Sequence, residues 1–226
     1  MKIRFIAFLL LCVFLAGCAN AESHTEQPTE SVPVETKAEE TVHGTMIYPL
    51  TDMTMASLEN SFVNISFSQD DFCQDESGNM LLRMQVYSYD KYDMVDISGL
   101  KPGDIILLSG EQIPVTSVES NDYGTVLVNG GLDEGGLDLA TDDCGVYYIQ
   151  GYSDMKSWYL VGEVTLPLSD GFVFTDTADL DFGVVTYERE TLLNEFPAPE
   201  YGYQPQNTSV RIENGMVVAM DRIYTP

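Results

Sequence analysis

The chain is poor in basic residues and poorer still in histidine. Its 226 residues carry 10 Lys and Arg against 36 Asp and Glu, a formal net charge of −26. A protein that grips nucleic acid needs a basic face to displace phosphate counterions, so nucleic acid is excluded as a partner. The 2 histidines, His24 and His43, both precede residue 45. Residues 45–226 therefore offer no imidazole for a Ser-His-Asp or Cys-His arrangement, and none for a zinc site. The P-loop and the dinucleotide fingerprint are missing too, and nothing in the sequence calls for a cofactor. No stretch reaches 18 consecutive apolar residues, so none reads as a membrane-spanning helix.

What the N-terminus does contain is a targeting pattern. Lys2 and Arg4 precede residues 5–16, a run of 12 without a charged or strongly polar side chain. As a helix this run spans about 18 Å, short of the roughly 30 Å bilayer core, and it reads as a signal-peptide hydrophobic region. Leu15-Ala16-Gly17-Cys18 follows at once. This segment resembles the lipobox of bacterial lipoproteins. The resemblance implies removal of residues 1–17, diacylglyceryl attachment to the Cys18 thiol and acylation of its freed amine. It also implies a lipid-anchored protein on the extracytoplasmic side of the cell membrane. Two or three acyl chains anchor stably, because each buried methylene contributes about 0.8 kcal/mol. Loss of Lys2 and Arg4 with the signal takes the basic count from 10 to 8 and the net charge from −26 to −28. Anionic headgroups repel such a body, so it is expected to stand off the membrane.

Residues 18–44 read as an acidic tether. They lack aromatics, carry Glu22, Glu26, Glu30, Glu35, Glu39 and Glu40, and are interrupted by Pro28 and Pro33. Such a segment buries too little apolar area to offset its chain entropy and is expected to be disordered. Gaussian scaling gives it a reach of about 25–30 Å.

Residues 45–226 read as one β-rich extracytoplasmic domain. Thr51 or Asp52 is placed to cap one short helix running to about Asn60. Beyond it, Val63, Ile65 and Phe67 alternate with Asn64, Ser66 and Ser68, and Leu82, Met84 and Val86 alternate with Arg83, Gln85 and Tyr87. Trp158, Leu160, Val164, Leu166 and Leu168 share one parity of a longer strand. Period-two alternation buries one face and wets the other. Asn214-Gly215 separates two apolar runs and predicts a tight hairpin, since both positions tolerate positive φ. Residues 121–124 predict a second turn, and residues 191–196 one helical turn. Turn spacing predicts roughly nine to eleven strands in a barrel-like domain or a two-sheet sandwich.

The site chemistry is sparse. Cys12 leaves with the signal, which leaves Cys73 and Cys144, too far apart for a CxxC motif. Paired, they would close a loop of 72 residues, a constraint of about 4 kcal/mol by chain entropy; the alternative is two separate thiols. Asp70, Asp71, Asp75 and Glu76 disfavour a nucleophilic Cys73 thiolate. Gly130-Gly131-Leu132-Asp133 recurs as Gly135-Gly136-Leu137-Asp138, with Asp142 and Asp143 beyond. Hard oxygens on flexible backbone suit calcium, and the alternative is solvated turns. Aromatic side chains cluster at Tyr87, Tyr89 and Tyr92, and again at Tyr147, Tyr148, Tyr152, Trp158 and Tyr159. Exposed rings stack on sugar faces or anchor protein partners. The expectation is a non-enzymatic binding or interaction module with a protein or glycan partner; the alternative is a glycosidase-like hydrolase built on two carboxylates.

Replacement Cys18→Ala is expected to move the protein from the membrane fraction to the soluble fraction on cell fractionation. Unchanged membrane retention would count against the lipid anchor.

Overall fold

The structure, a computed structural model, describes residues 44–50, 53–192, 197 and 202–225. The lipobox, the tether up to residue 43 and the candidate caps Thr51 and Asp52 lie outside the described residues. In chain order the strands are β1 (Met46–Ile47), β2 (Ser61–Ser66), β3 (Phe72–Gln74), β4 (Met80–Ser88), β5 (Lys91–Tyr92), β6 (Ile105–Leu108), β7 (Glu111–Pro114) and β8 (Val118–Ser120). There follow β9 (Val126–Val128), β10 (Leu137–Thr141), β11 (Tyr147–Gln150), β12 (Tyr159–Thr177), β13 (Val185–Glu188), β14 (Thr208–Glu213) and β15 (Met216–Ile223). The α-helices α1 (Met94–Ser98) and α2 (Arg189–Leu192) are short. The described residues thus hold 15 strands, more than alternation predicts, because a strand of two to four residues is too short to show a period.

Five strands close into a barrel in the order β12-β15-β14-β2-β4, with β4 pairing back onto β12. Four of the five contacts are antiparallel and β12–β15 is parallel. Numbered along the chain, the ring runs first, second, third, fifth, fourth, a Greek-key connectivity. The alternating residues fill its interior: Ile65, Leu82, Val86, Phe174, Val210, Val217 and Met220 are fully buried. Asn214 (φ 52°) and Gly215 (φ 73°) make the expected turn between β14 and β15. Strand β12 departs from simple alternation. One extra residue, Val161, stands between the pairs Leu160–Tyr87 and Gly162–Val86. This bulge reverses parity, so Val161, Val164 and Leu166 pack on the barrel core while Leu160 is left exposed.

Residues between β4 and β12, joined by β1 from ahead of the barrel, build a second core. Strands β5, β11, β10, β9 and β8 form one sheet and β1, β6 and β7 another. Between them Tyr92, Ile97, Ile106, Val128, Leu139 and Ile149 are buried. Gly44 and Thr45 already belong to this body, whereas the sequence reading starts the fold at residue 45 and leaves Gly44 to the tether. A Cβ on Gly44 would collide with Gly103 O, and Thr45 N donates to buried Asp104 Oδ1 (2.8 Å).

The two expected helices differ from their predicted form. The first is a 3₁₀ helix over Met55–Asn60, entered through Thr54. Thr54 N donates to Ser57 Oγ, and Ser57 Oγ donates to Thr54 O (2.8 Å), local bonds that hold a tight turn. The second begins at Arg189, before the expected Thr191, and residues 193–196 lie outside the described residues.

One buried ion pair ties the two long C-terminal strands. Arg222 on β15 donates to both oxygens of Asp176 on β12, at 3.0 and 2.5 Å, and both side chains are nearly out of solvent. Removing one partner strands a charge in low dielectric. Asp176→Ala is therefore expected to cost about 3–5 kcal/mol in urea unfolding, and a change under about 1 kcal/mol, the worth of an exposed pair, would show that water reaches this site.

Candidate functional site

The aromatic residues divide once folded. Tyr92 turns into the second core, fully buried, with its hydroxyl donating to Leu107 O (3.0 Å). Burial, and after it the Asp90 carboxylate, pushes this hydroxyl well above the ordinary tyrosine range and keeps it a neutral donor. Tyr147 packs on the same core, Tyr159 opens β12, and Tyr152 is exposed. Tyr87, Tyr89, Tyr148 and Trp158 converge instead on one cleft of about 570 Å³, which Lys91, Asn64, Asp154 and Lys156 also line. That volume suits a small organic ligand.

Pairing builds this cleft from distant segments. Tyr148 on β11 lies opposite Lys91 on β5. Ser88 lies opposite Tyr159 where β4 meets β12, and one residue further out Tyr89 and Trp158 meet edge to face at 4.9 Å. Trp158 therefore stands just ahead of the strand, in the cleft wall. The sequence pattern puts it on the core parity of that strand; the extra residue Val161 reverses that parity, so Trp158 shares the outward side of Leu160. Tyr148 meets Tyr89 at 6.4 Å, also edge to face. A bridge between Gln150 and Lys156 closes the intervening loop. In that loop Ser153 (φ 59°) and Asp154 (φ 60°) are both left-handed, a conformation that costs side-chain-bearing residues free energy.

The electrostatics of the cleft are unlike those of the rest of the chain. Lys156 Nζ lies 4.4 Å from the Tyr89 ring centroid and 5.5 Å from that of Tyr148, and it donates to Tyr89 Oη at 3.1 Å. Lys91 Nζ lies 4.9 Å from the same Tyr89 centroid. The ring face attracts both ammonium groups, and the two repel each other. Asp154 contributes the opposite charge, with its Oδ1 accepting from Gln150 Nε2 (2.7 Å). Trp158 Nε1 is buried and, among the described residues, has no acceptor; such a donor costs about 1–3 kcal/mol. Sequence reasoning found the rings but missed both lysines as a site. They are separated by most of the second core, and no local spacing links them.

A second cleft of about 460 Å³ lies on the outer face of β4 and β12, lined by Asp71, Arg83, Gln85 and Glu163. It is where two carboxylates approach one concave surface. Burial raises the Asp71 pKa, but hydrogen bonds from Ser68 N and Oγ (2.8 and 2.7 Å) and from Arg83 Nε (2.6 Å) outweigh it. The carboxyl is held below its ordinary value, so Asp71 is unsuited to be a general acid near neutral pH.

The remaining sequence candidates do not join either cleft. Cys73 on β3 and Cys144 in the turn between β10 and β11 are both exposed and free. Asp133 and Asp143 are exposed. Asp138 Oδ1 accepts from Leu132 N (2.8 Å), and Asp142 Oδ1 accepts from Cys144 N and Val146 N (both 2.9 Å). These two carboxylates brace turns. Among the described residues, no three His, Cys, Asp or Glu side chains gather to hold a metal ion.

The Asp71 carboxyl carbon is expected to titrate by NMR with a midpoint below 3.8, its ordinary value. The stability that this group contributes is present above 3.8 and is lost as pH falls through its lower folded pKa. A midpoint at or above 3.8 would show that Arg83 does not hold it. Comparison with protein-family models, with curated proteins and with solved structures finds no match to this chain, so its function has to be argued from these side chains.

Proposed function

We propose that this chain is a lipid-anchored extracytoplasmic binding module of the cell membrane that takes a saccharide in the aromatic cleft and carries out no chemistry on it. The convergence of Tyr89, Tyr148 and Trp158 on one cleft carries the reading. Aromatic rings present flat apolar surface to the C–H face of a sugar, and neighbouring side chains such as Asn64 and Gln206 supply partners for hydroxyl groups. The barrel supports the same reading by analogy: five-stranded Greek-key barrels include saccharide-binding modules that use the face of their second and third strands. Here the cleft lies where the second and third barrel strands, β4 and β12, begin to pair. Anchorage rests on the lipobox resemblance at Cys18, and it places the module within reach of cell-envelope glycans.

The hydrolase alternative draws on the second cleft, where Asp71 and Glu163 are the available carboxylates. Asp71, paired with Arg83, suits the role of nucleophile or base and leaves the acid to Glu163 alone. The aromatic cleft is favoured because rings, amide groups and cations meet there on residues from both cores.

Trp158 is the single tryptophan of the chain, so its emission reports the cleft without ambiguity. Full-length protein in detergent, titrated with a panel of cell-wall and plant oligosaccharides, is expected to show saturable emission changes with at least one. Trp158→Ala is expected to weaken retention of that sugar on an array by about tenfold. No emission change with any sugar, together with capture of a partner protein that survives Trp158→Ala, would contradict the reading.

A further inference from the structure

The cations of the described body are few, and most are already neutralised. Arg83, Arg189, Arg211 and Arg222 each hold a carboxylate, on Asp71, on Asp170 and Glu190, on Glu213 and on Asp176 respectively. Lys91, Lys101 and Lys156 take part in no ion pair among the described residues. Two of these three lysines converge on a single ring, Tyr89, in the cleft. In a chain with so large an acidic excess, solvated lysines with mobile stems have many carboxylates to choose from. These two are held instead by the same aromatic ring, against their own repulsion.

We propose that the cleft selects a saccharide whose ring bears a carboxylate, a uronic acid unit, with Lys91 and Lys156, held on Tyr89, as the carboxylate-binding pair and Tyr148 and Trp158 as the ring platform. This deepens, and rests on, the saccharide reading of the cleft. The placement of charge argues for a carboxylate attached directly to the sugar. Each ammonium group lies within 5 Å of the Tyr89 centroid, and Tyr89 meets Tyr148 and Trp158 edge to face, so the anion has to lie beside a sugar stacked on those two rings. Long-range repulsion by the acidic surface is screened beyond about 8 Å at physiological ionic strength, so the groups at the cleft decide the sign of the interaction. Those groups are Lys91, Lys156 and Asp154 on the lining; Asp90 is buried outside that lining and accepts from Ser109 N (2.6 Å). Two cations against one carboxylate leave a local positive balance. The carboxylate of Asp154 is the built-in competitor for the lysines.

The test uses the full-length protein in detergent and the Trp158 emission. The probes are tetrasaccharides of galacturonic, mannuronic and glucuronic acid, each paired with its carboxyl-reduced neutral counterpart. At least one acid is expected to bind about tenfold or more tighter than its neutral partner, the usual worth of a charge-assisted hydrogen bond. Lys91→Met and Lys156→Met keep the apolar stems that cover Tyr89. Each is expected to remove most of that preference, read as the ratio of acid to neutral affinity within the same variant. Asp154→Asn keeps the acceptor that Gln150 uses and is expected to raise the acid-to-neutral affinity ratio severalfold. Equal affinity for acid and neutral forms, with emission still changing, overturns the carboxylate inference and leaves the saccharide reading standing. Binding of neither form overturns both. A preference that survives both lysine substitutions, or tighter binding of a hexose phosphate than of any uronate, overturns the assignment of the lysines to a carboxylate.

Discussion

Barrel closure by strand β12 is the constraint on which the rest of the molecule depends. Its first half pairs with β4, and its second half pairs with β15 and β13. A strand of 19 residues that serves three partners has to bend, and it does so at the extra residue Val161 and again between Leu168 and Val173. The bends let one segment complete the ring and bury Phe172 and Phe174 inside it. They also fix where the strand begins. Trp158, the residue before β12, is delivered against Tyr89, the residue after β4, so the closure of the barrel and the wall of the cleft are one event.

The second core completes the site. It is inserted between two barrel strands that are neighbours in the ring, and its sheet brings Tyr148 and Lys91 to the cleft from its own side. Neither core contains the site alone. A formal net charge of −26 repels anionic surfaces. Against that background the arginines act as local clamps, Arg222 inside the barrel and Arg83 on its outer face, while the two cleft lysines are kept by aromatic rings.

Much of the barrel is legible in the sequence, because alternation is a direct consequence of half-burial. Ile65, Leu82, Met84 and Val86 read correctly as core, and the Asn214-Gly215 turn reads correctly from its tolerance of positive φ. Tyr87 reads correctly as a residue of the outer face, opposite Leu82, Met84 and Val86. What alternation misses is any place where it stops. The bulge at Val161 turns Leu160 outward, and its one mark in the sequence is the neighbouring Gly162. Tyr92 looks like another surface tyrosine, yet the chain has by then left β4 for β5 and the second core. The site was legible only as two groups of rings. That Lys91 and Lys156 share one ring depends on two separate strand pairings, and long-range pairing leaves no mark in local spacing.

The central claim is that this cleft is occupied by a sugar acid in the working protein. Its most direct test is the ¹H–¹⁵N indole resonance of the single tryptophan, whose buried N–H has no acceptor among the described residues. The account predicts that this one cross-peak moves progressively and saturates as a uronic acid tetrasaccharide is added, and moves less with the carboxyl-reduced sugar. A cross-peak that stays in place at millimolar concentrations of every such acid would contradict it.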